Sequence, residues 1–284
     1  EIIEFKDQVS RAAALRAGQI DVASGVQAEH SALLKADSRL NFYASPSTSF
    51  TGFNLNLAKA PFQDQRVRQA FRLLADRREL VDRGLNGLGR IANDLYSPHD
   101  PTYNHGIVQR PYDLDQARSL LRQAGQNDLR VELTTTPGPG VNAALVFAQQ
   151  AKKAGVEIKV TQVDGSVFNG AQRENWLLSP GSTPARGFLA SALHNDAPQA
   201  IYNRSNFHDE RFTSLYQQAL AQPDLQQRKV LVHEAQAIQH ERGGLLIWGF
   251  NDVLDAASVR VAGLAPEQTT FASWRFDEMW VNHA

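Results

Sequence analysis

Leu129-Arg130-Val131-Glu132-Leu133-Thr134-Thr135, then Pro137-Gly138-Pro139-Gly140, then residues 142–154, then Val156-Glu157-Ile158-Lys159-Val160: this order decides the fold class. The first run alternates apolar and polar residues through Val131 and Leu133, the period of a half-buried strand. The Pro-Gly turn leads into an Ala- and Val-rich segment of helical length, which Gly155 ends in the manner of a C′ glycine. Val156, Ile158 and Val160 then resume the strand period. Two strands joined through a helix normally lie parallel with a right-handed crossover, so an α/β protein is predicted.

Upstream, Asp113 caps a helix carrying Ala117, Leu120, Leu121 and Ala124, stopped by Gly125. Asp64 caps a longer helix whose apolar stripe is Val67, Phe71, Leu74, Leu80 and Val81. On it Arg66, Arg68, Arg72, Arg77 and Arg78 are expected in solvent, because charged side chains are mostly exposed. Residues 84–111, rich in Gly, Pro, Asn and Asp, predict a long surface loop. Phe53, Leu55 and Leu57 alternate in a strand over 50–57. The first stretch reads as a strand at 1–5, a helix at 7–15 closed by Gly18, a strand at 20–23 and a short helix at 32–35. Downstream, periodicity fades over 168–202, which predicts a long irregular excursion. Helices begin near Asp209 and Asp224, and Gly243 with Gly244 closes the second. Strands at 245–250 and 253–257 follow, and the aromatic tail at 269–280 is expected to pack.

With 284 residues, 42% of them hydrophobic and 21% charged, the chain can bury a large core. A formal net charge of −1 supplies no field to draw nucleic acid or an anionic membrane surface, so neither is an expected partner. Apolar runs such as Leu245-Leu246-Ile247-Trp248 are too short to span a bilayer. The chain opens at Glu1 without a basic, apolar leader, so a processed or truncated piece is expected. Absence of cysteine excludes disulfides, thiolate metal sites and a thiol nucleophile.

The chemical motifs are near-misses. His233-Glu234 is followed by His240, a gap of seven where a zinc helix needs four, so a solvated helix is expected. Gly84-Leu85-Asn86-Gly87-Leu88-Gly89 follows a helix and lacks the Lys-Ser/Thr pair of a phosphate loop. No Gly-x-Ser-x-Gly elbow occurs. Asp113 with Asp115 and Asp76 with Glu79 suit helix starts. No catalytic residue, metal ligand or cofactor site is identified, and a non-catalytic protein is expected.

Three runs in order carry a resemblance. They are Arg11-Ala12-Ala13-Ala14-Leu15-Arg16-Ala17-Gly18-Gln19-Ile20-Asp21-Val22-Ala23, Gly52-Phe53-Asn54-Leu55-Asn56, and Ala60-Pro61-Phe62-Gln63-Asp64-Gln65-Arg66-Val67-Arg68-Gln69-Ala70-Phe71 continuing to Asp76-Arg77. Together with Tyr112-Asp113 and the block at 203–207, they resemble the family 5 extracellular solute-binding proteins, the oligopeptide-, dipeptide- and nickel-binding group of ABC importers. The resemblance covers nearly the whole chain. It implies an α/β fold: a periplasmic-binding-protein-like type II lobe, with a mixed sheet flanked by helices, plus a partial first lobe. Residues 1–48 would be a remnant of the first lobe, 49–248 the second lobe, and 249–284 the return, with hinges near 46–55 and 244–252.

Such receptors close two lobes on a solute. The resemblance therefore implies ligand contacts from Thr51, Phe53 and Asn54 on the way out, and from Trp248, Phe250 and Asn251 on the return. Trp176 stands where similar proteins carry a cleft aromatic. Read as residues alone, Phe53 and Trp248 are core aromatics sooner than ligand contacts, and Asn54 a strand-end amide. One departure concerns the ligand: Trp176-Leu177-Leu178-Ser179-Pro180 lacks the acid that in the peptide binders meets the ligand's amino terminus, and Asp196 is farther along. The implied function is capture of a peptide-like or other small solute for a membrane ABC permease. It implies a monomer in the periplasm or at the cell surface, with any lipid anchor in a preceding part. A ligand-sensing or interaction module without transport is the second reading.

Overall fold

The computed structural model describes residues 1–138, 140–268 and 271–282. It begins with α1 (Gln8–Arg16), β1 (Val22–Ala23), α2 (Ser31–Lys35) and β2 (Leu40–Leu55). Next come α3 (Gln65–Leu74), α4 (Arg77–Gly84), β3 (Gly89–Ile91) and α5 (Leu114–Gln123). β4 (Arg130–Thr135), α6 (Gly140–Lys152) and β5 (Glu157–Gln162) form the strand–helix–strand unit predicted from sequence, its strands parallel with Arg130 opposite Glu157. Pro139, in the turn of that unit, lies outside the described residues. α7 (Gly165–Phe168), β6 (Leu178–Thr183), α8 (Phe188–Asn195), α9 (Glu210–Ala221) and α10 (Leu225–Arg242) follow. β7 (Leu245–Ser258), β8 (Val261–Ala262) and β9 (Trp280–Val281) complete the described elements.

Among the described residues, six helices start on an aspartate whose carboxylate accepts from a first-turn backbone N–H: Asp7, Asp64, Asp76, Asp113, Asp209 and Asp224. Each satisfies a donor that the helix itself leaves open and places negative charge at the positive end of the dipole.

The chain divides into two compact units. One comprises Glu1–Thr48, Leu88–Arg90 and the chain from Asn251 onward; the other comprises Ser49–Gly87 and Ile91–Phe250. In the first, β1 pairs antiparallel with β7, Val22 opposite Ala257, over a core that includes Leu15, Val26, Leu34 and Leu254. Buried Asp255 accepts from the backbone N–H groups of Gly25 and Ser273, 3.0 Å each.

In the second unit the strand order is β7-β2-β6-β4-β5. β4 runs parallel to β5 and β6, while β2 runs antiparallel to β6, so the sheet is mixed. Both faces are covered. Leu246 and Trp248 of β7 enter a core with Phe53, Phe71 and Phe147, whereas Leu245 and Ile247 enter a second core with Phe212, Leu215 and Ile238. A strand buried on both sides reads as a continuous apolar run, which is how 245–250 reads.

Several expectations are corrected. Arg68, Arg72 and Arg77 are buried rather than solvated. Arg68 Nη1 donates to the carbonyls of Phe62 at 2.7 Å and Gln63 at 2.9 Å. Arg77 Nη2 donates to both carboxylate oxygens of Asp94, at 2.9 and 2.8 Å, and Arg110 Nε joins them at 2.9 Å. Burial disfavours the Asp94 carboxylate, but Arg77, Arg72 and Arg110 outweigh that and hold its pKa below the ordinary value. Burial conversely pushes Arg72 down to about 10, with Asp94 opposing. The segment at 84–111 is a surface loop only in part: β3 and the buried run at 92–97, with Leu95 and Tyr96 beside Asp94, interrupt it.

The long helix expected from Asp64 is two helices, broken at Ala75, where ψ of 100° leaves the helical region and Asp76 recaps. Residues 168–202, expected to be irregular, hold β6 and α8. Residues 245–258 form one strand instead of two, and 1–5 form none. His240 is buried against Arg110, not solvated. In the tail, Thr269 and Thr270 lie outside the described residues; Trp274, Phe276 and Trp280 are exposed, and the segment is tied down by β8–β9 pairing instead.

Candidate functional site

A cleft of about 550 Å³ opens within the second unit. Its floor is Phe50 and Leu245, and one wall is formed by Thr135, Thr136 and Gly140, at the carboxyl end of β4 and the start of α6. Open α/β sheets bind ligands outside the carboxyl ends of their strands, because the chain turns there leave side chains and backbone groups free to converge.

The second wall comes from β2 and β6. Their register places Asn54 opposite Ser179, and the Asn54 amide donates to the Pro180 carbonyl at 3.0 Å. Gly181 makes that placement possible: a Cβ there would stand 2.9 Å from Asn54 Nδ2. Farther along, Thr183 Oγ1 donates to Asn195 Oδ1 at 3.1 Å, and Asn195 Nδ2 donates to the Ser191 carbonyl at 2.9 Å. These bonds fix Asn195 where α8 meets the cleft.

The third wall is a stack of rings and guanidinium. Trp176 lies parallel to Phe168, centroids 6.2 Å apart at 8°, and its indole N–H donates to the Phe168 carbonyl at 3.1 Å. Arg204 sits 4.8 Å from the Phe168 ring and 6.0 Å from the Tyr202 ring. Tyr202 in turn stacks on His194, 4.4 Å apart at 16°. Cations over aromatic faces are attracted by the ring quadrupole, which holds Arg204 in place. Asn203 builds the turn behind it: its Oδ1 accepts from the Phe207 N–H at 3.0 Å and its Nδ2 donates back to the Phe207 carbonyl at 2.9 Å.

The electrostatics of this wall are one-signed. Burial pushes the Arg204 pKa down, and the like charge of Arg173 adds to that. Burial likewise lowers His194, with Asn195 opposing and Arg186 adding, so its imidazole is neutral at pH 7. Among the described residues, none lining the cleft is a carboxylate.

Of the residues singled out in the sequence, Asn54 lies in the cleft wall and Trp176 one layer behind Phe168. Thr51 pairs with Ser182 across β2–β6. Phe53 and Trp248 are sealed in the first core, Phe53 stacked on Phe147 at 4.7 Å. Phe250 belongs to the second core. Asn251 lies in the other unit, its buried Oδ1 without a hydrogen-bond partner. Asp196 is not among the lining residues of this cleft; Gln239 Nε2 donates to its carboxylate at 3.0 Å, and burial pushes its pKa up to about 7, with Tyr96 and Gln239 opposing. Sequence reading missed Phe168, His194, Tyr202 and Arg204. The block at 203–207 pointed to their neighbourhood, but stacking between residues this far apart in sequence leaves no periodic signal.

With this geometry in place the comparisons decide the family. The pattern of the bacterial extracellular solute-binding proteins, family 5 Middle, matches residues 1–195. The chain belongs to this family. One relative, the heme-binding protein A of Haemophilus influenzae, is 24% identical over 249 residues, covering 83% of this chain and 45% of that protein. The dipeptide-binding protein of Escherichia coli is 25% identical over 246 residues, covering 82% and 46%. Among solved structures, the ABC transporter-associated periplasmic binding protein DppA from Helicobacter pylori, in complex with peptide STSA, superposes with a TM-score of 0.84. It shares 20% identity and is matched over 98% of this chain and 56% of its own, which shows the type II periplasmic-binding-protein fold. The chain thus spans about half the length of the relatives that it matches.

Proposed function

We propose that this family 5 chain serves as a non-catalytic extracytoplasmic subunit of an ABC importer, capturing a peptide-like or other small solute and delivering it to a membrane permease. The observation that carries this reading is the cleft. At about 550 Å³ it has the size of small-molecule sites, and its walls combine aromatic faces with amide, hydroxyl and guanidinium groups set by the sheet. The dipeptide and heme named for its relatives support the small-solute class. No helix among the described residues is long and apolar enough to cross a membrane.

On this reading the second unit is the second lobe, and the first unit belongs to the first lobe. Asn54 contacts solute directly, Trp176 through Phe168, and Thr51 by fixing β6. Phe53, Trp248 and Phe250 act from the cores, as the packing that holds β2 and β7. The chain works as a monomer in the periplasm or at the cell surface.

Uptake tests the delivery step. Deleting the gene should abolish uptake of whatever radiolabelled solute the purified protein binds, and deleting the permease should do the same. Binding in vitro with uptake unchanged in the deletion strain would assign the protein a sensing role instead.

A further inference from the structure

We infer that the cleft selects an anionic solute, one carrying a carboxylate or phosphate group that is received by Arg204. This rests on the receptor reading above and names the class of solute it would take.

Arg204 is the anchor by geometry. Its guanidinium lies 4.8 Å from the Phe168 ring and 6.0 Å from the Tyr202 ring, and only Nη2 is engaged, donating to Asn169 Oδ1 at 2.6 Å. Nε and Nη1 make no hydrogen bond among the described residues and are not sealed from solvent. The Nε–Nη1 part of the guanidinium is left to bind, and a planar guanidinium's N–H groups match the oxygens of a carboxylate or phosphate.

The charge balance points the same way. Arg186 and Arg204 both line the cleft, no carboxylate does among the described residues, and His194 is neutral at pH 7. Arg173, near enough to act on Arg204, has the partly exposed Glu174 at 3.7 Å, whereas no carboxylate is paired with Arg204. A half-buried cation without a counter-charge is completed by an anion brought from outside. A solute ammonium placed there would meet two like charges and no acid, and an unpaired buried charge is strongly disfavoured.

Isothermal titration of the protein expressed at its natural length tests this. The probes are matched sets on three skeletons: N-acetyl dialanine, its amide and dialanine amide; glucuronate, glucose 6-phosphate, glucose and glucosamine; benzoate, phenyl phosphate, benzamide and benzylamine. In whichever skeleton binds saturably, an acidic member should bind at least about tenfold more tightly than the neutral one, as a charge-assisted hydrogen bond implies. The carboxylate and phosphate arms show which oxyanion is preferred. Arg204→Gln should erase that preference and Arg204→Lys should keep part of it, both with unchanged circular dichroism. A neutral or basic member binding tightest, or a tenfold preference surviving in Arg204→Gln, would overturn the anion assignment while leaving the receptor reading intact. Saturable binding in none of the three skeletons would count against the receptor reading, and the anion assignment would fall with it.

Discussion

Asp94 illustrates how a single residue organises the second unit. One carboxylate receives Arg77 and Arg110 directly and draws Arg72 to 3.8 Å, all in the interior. Removing it would leave buried guanidinium charge uncompensated, so Asp94→Ala should destabilise the fold by about 3–5 kcal/mol. For a unit of this size that lowers Tm by about 10 °C, readable by thermal denaturation. Asp196 makes a pH-dependent contribution of opposite sense to the usual carboxylate. Its raised pKa means that the folded chain holds a proton that the unfolded chain releases. Stability from this group is complete below pH 4 and is lost as pH rises to about 7. The loss amounts to about 4 kcal/mol. Asp196→Asn, which keeps the shape without the charge, should therefore gain stability over the parent between pH 4 and pH 8. A constant difference across that range would contradict the burial of an ionisable Asp196. At the cleft, Gly181→Ala should displace the Asn54 amide and weaken solute binding about tenfold, with little change in Tm, since one net hydrogen bond is worth about 1 kcal/mol.

At the scale of elements, legibility follows locality. The β4–α6–β5 unit and the aspartate caps were readable because strand period, turn and cap chemistry all lie within a few residues of each other. The break between α3 and α4 was only half legible. Asp76 and Glu79 form the cap, but what permits the break is Gln150 on α6. Its side chain takes the Asp76 N–H at 3.2 Å, the donor that the break leaves open, and gives to the Asp76 carbonyl at 3.1 Å beside the Leu80 N–H. Gln150→Leu should leave the Asp76 N–H unpaired, while the Asp76 carbonyl keeps the Leu80 N–H at 3.0 Å, and destabilise by about 1–3 kcal/mol, measurable by urea unfolding. The buried arginines of α3 and α4 were not legible for the same reason. A helical wheel sees a charge and assigns it to water, whereas the partner, Asp94, comes from a loop after β3. The strand β6 escaped because Ser179, Pro180 and Gly181 carry no strand propensity; its place is fixed by pairing with β2.

At the scale of the molecule, the resemblance supplied the family and the fold, while the ring-and-guanidinium wall of the candidate cleft came only from the structure. Sequence pointed to strand-end residues; of these, Asn54 reaches the cleft, and Phe53 and Trp248 fill the core beside it. The proposed site instead draws on the excursion between β5 and α9, where Phe168, His194, Tyr202 and Arg204 line the cleft. Loops positioned by a rigid scaffold commonly carry binding residues in this way. The claim that holds the account together is that this protein captures a small solute. Native mass spectrometry tests it most directly, using protein of natural length incubated with peptide, sugar and organic-acid mixtures. The expected spectrum shows one small molecule bound per chain, released on denaturation. A chain mass unchanged after every incubation would contradict it.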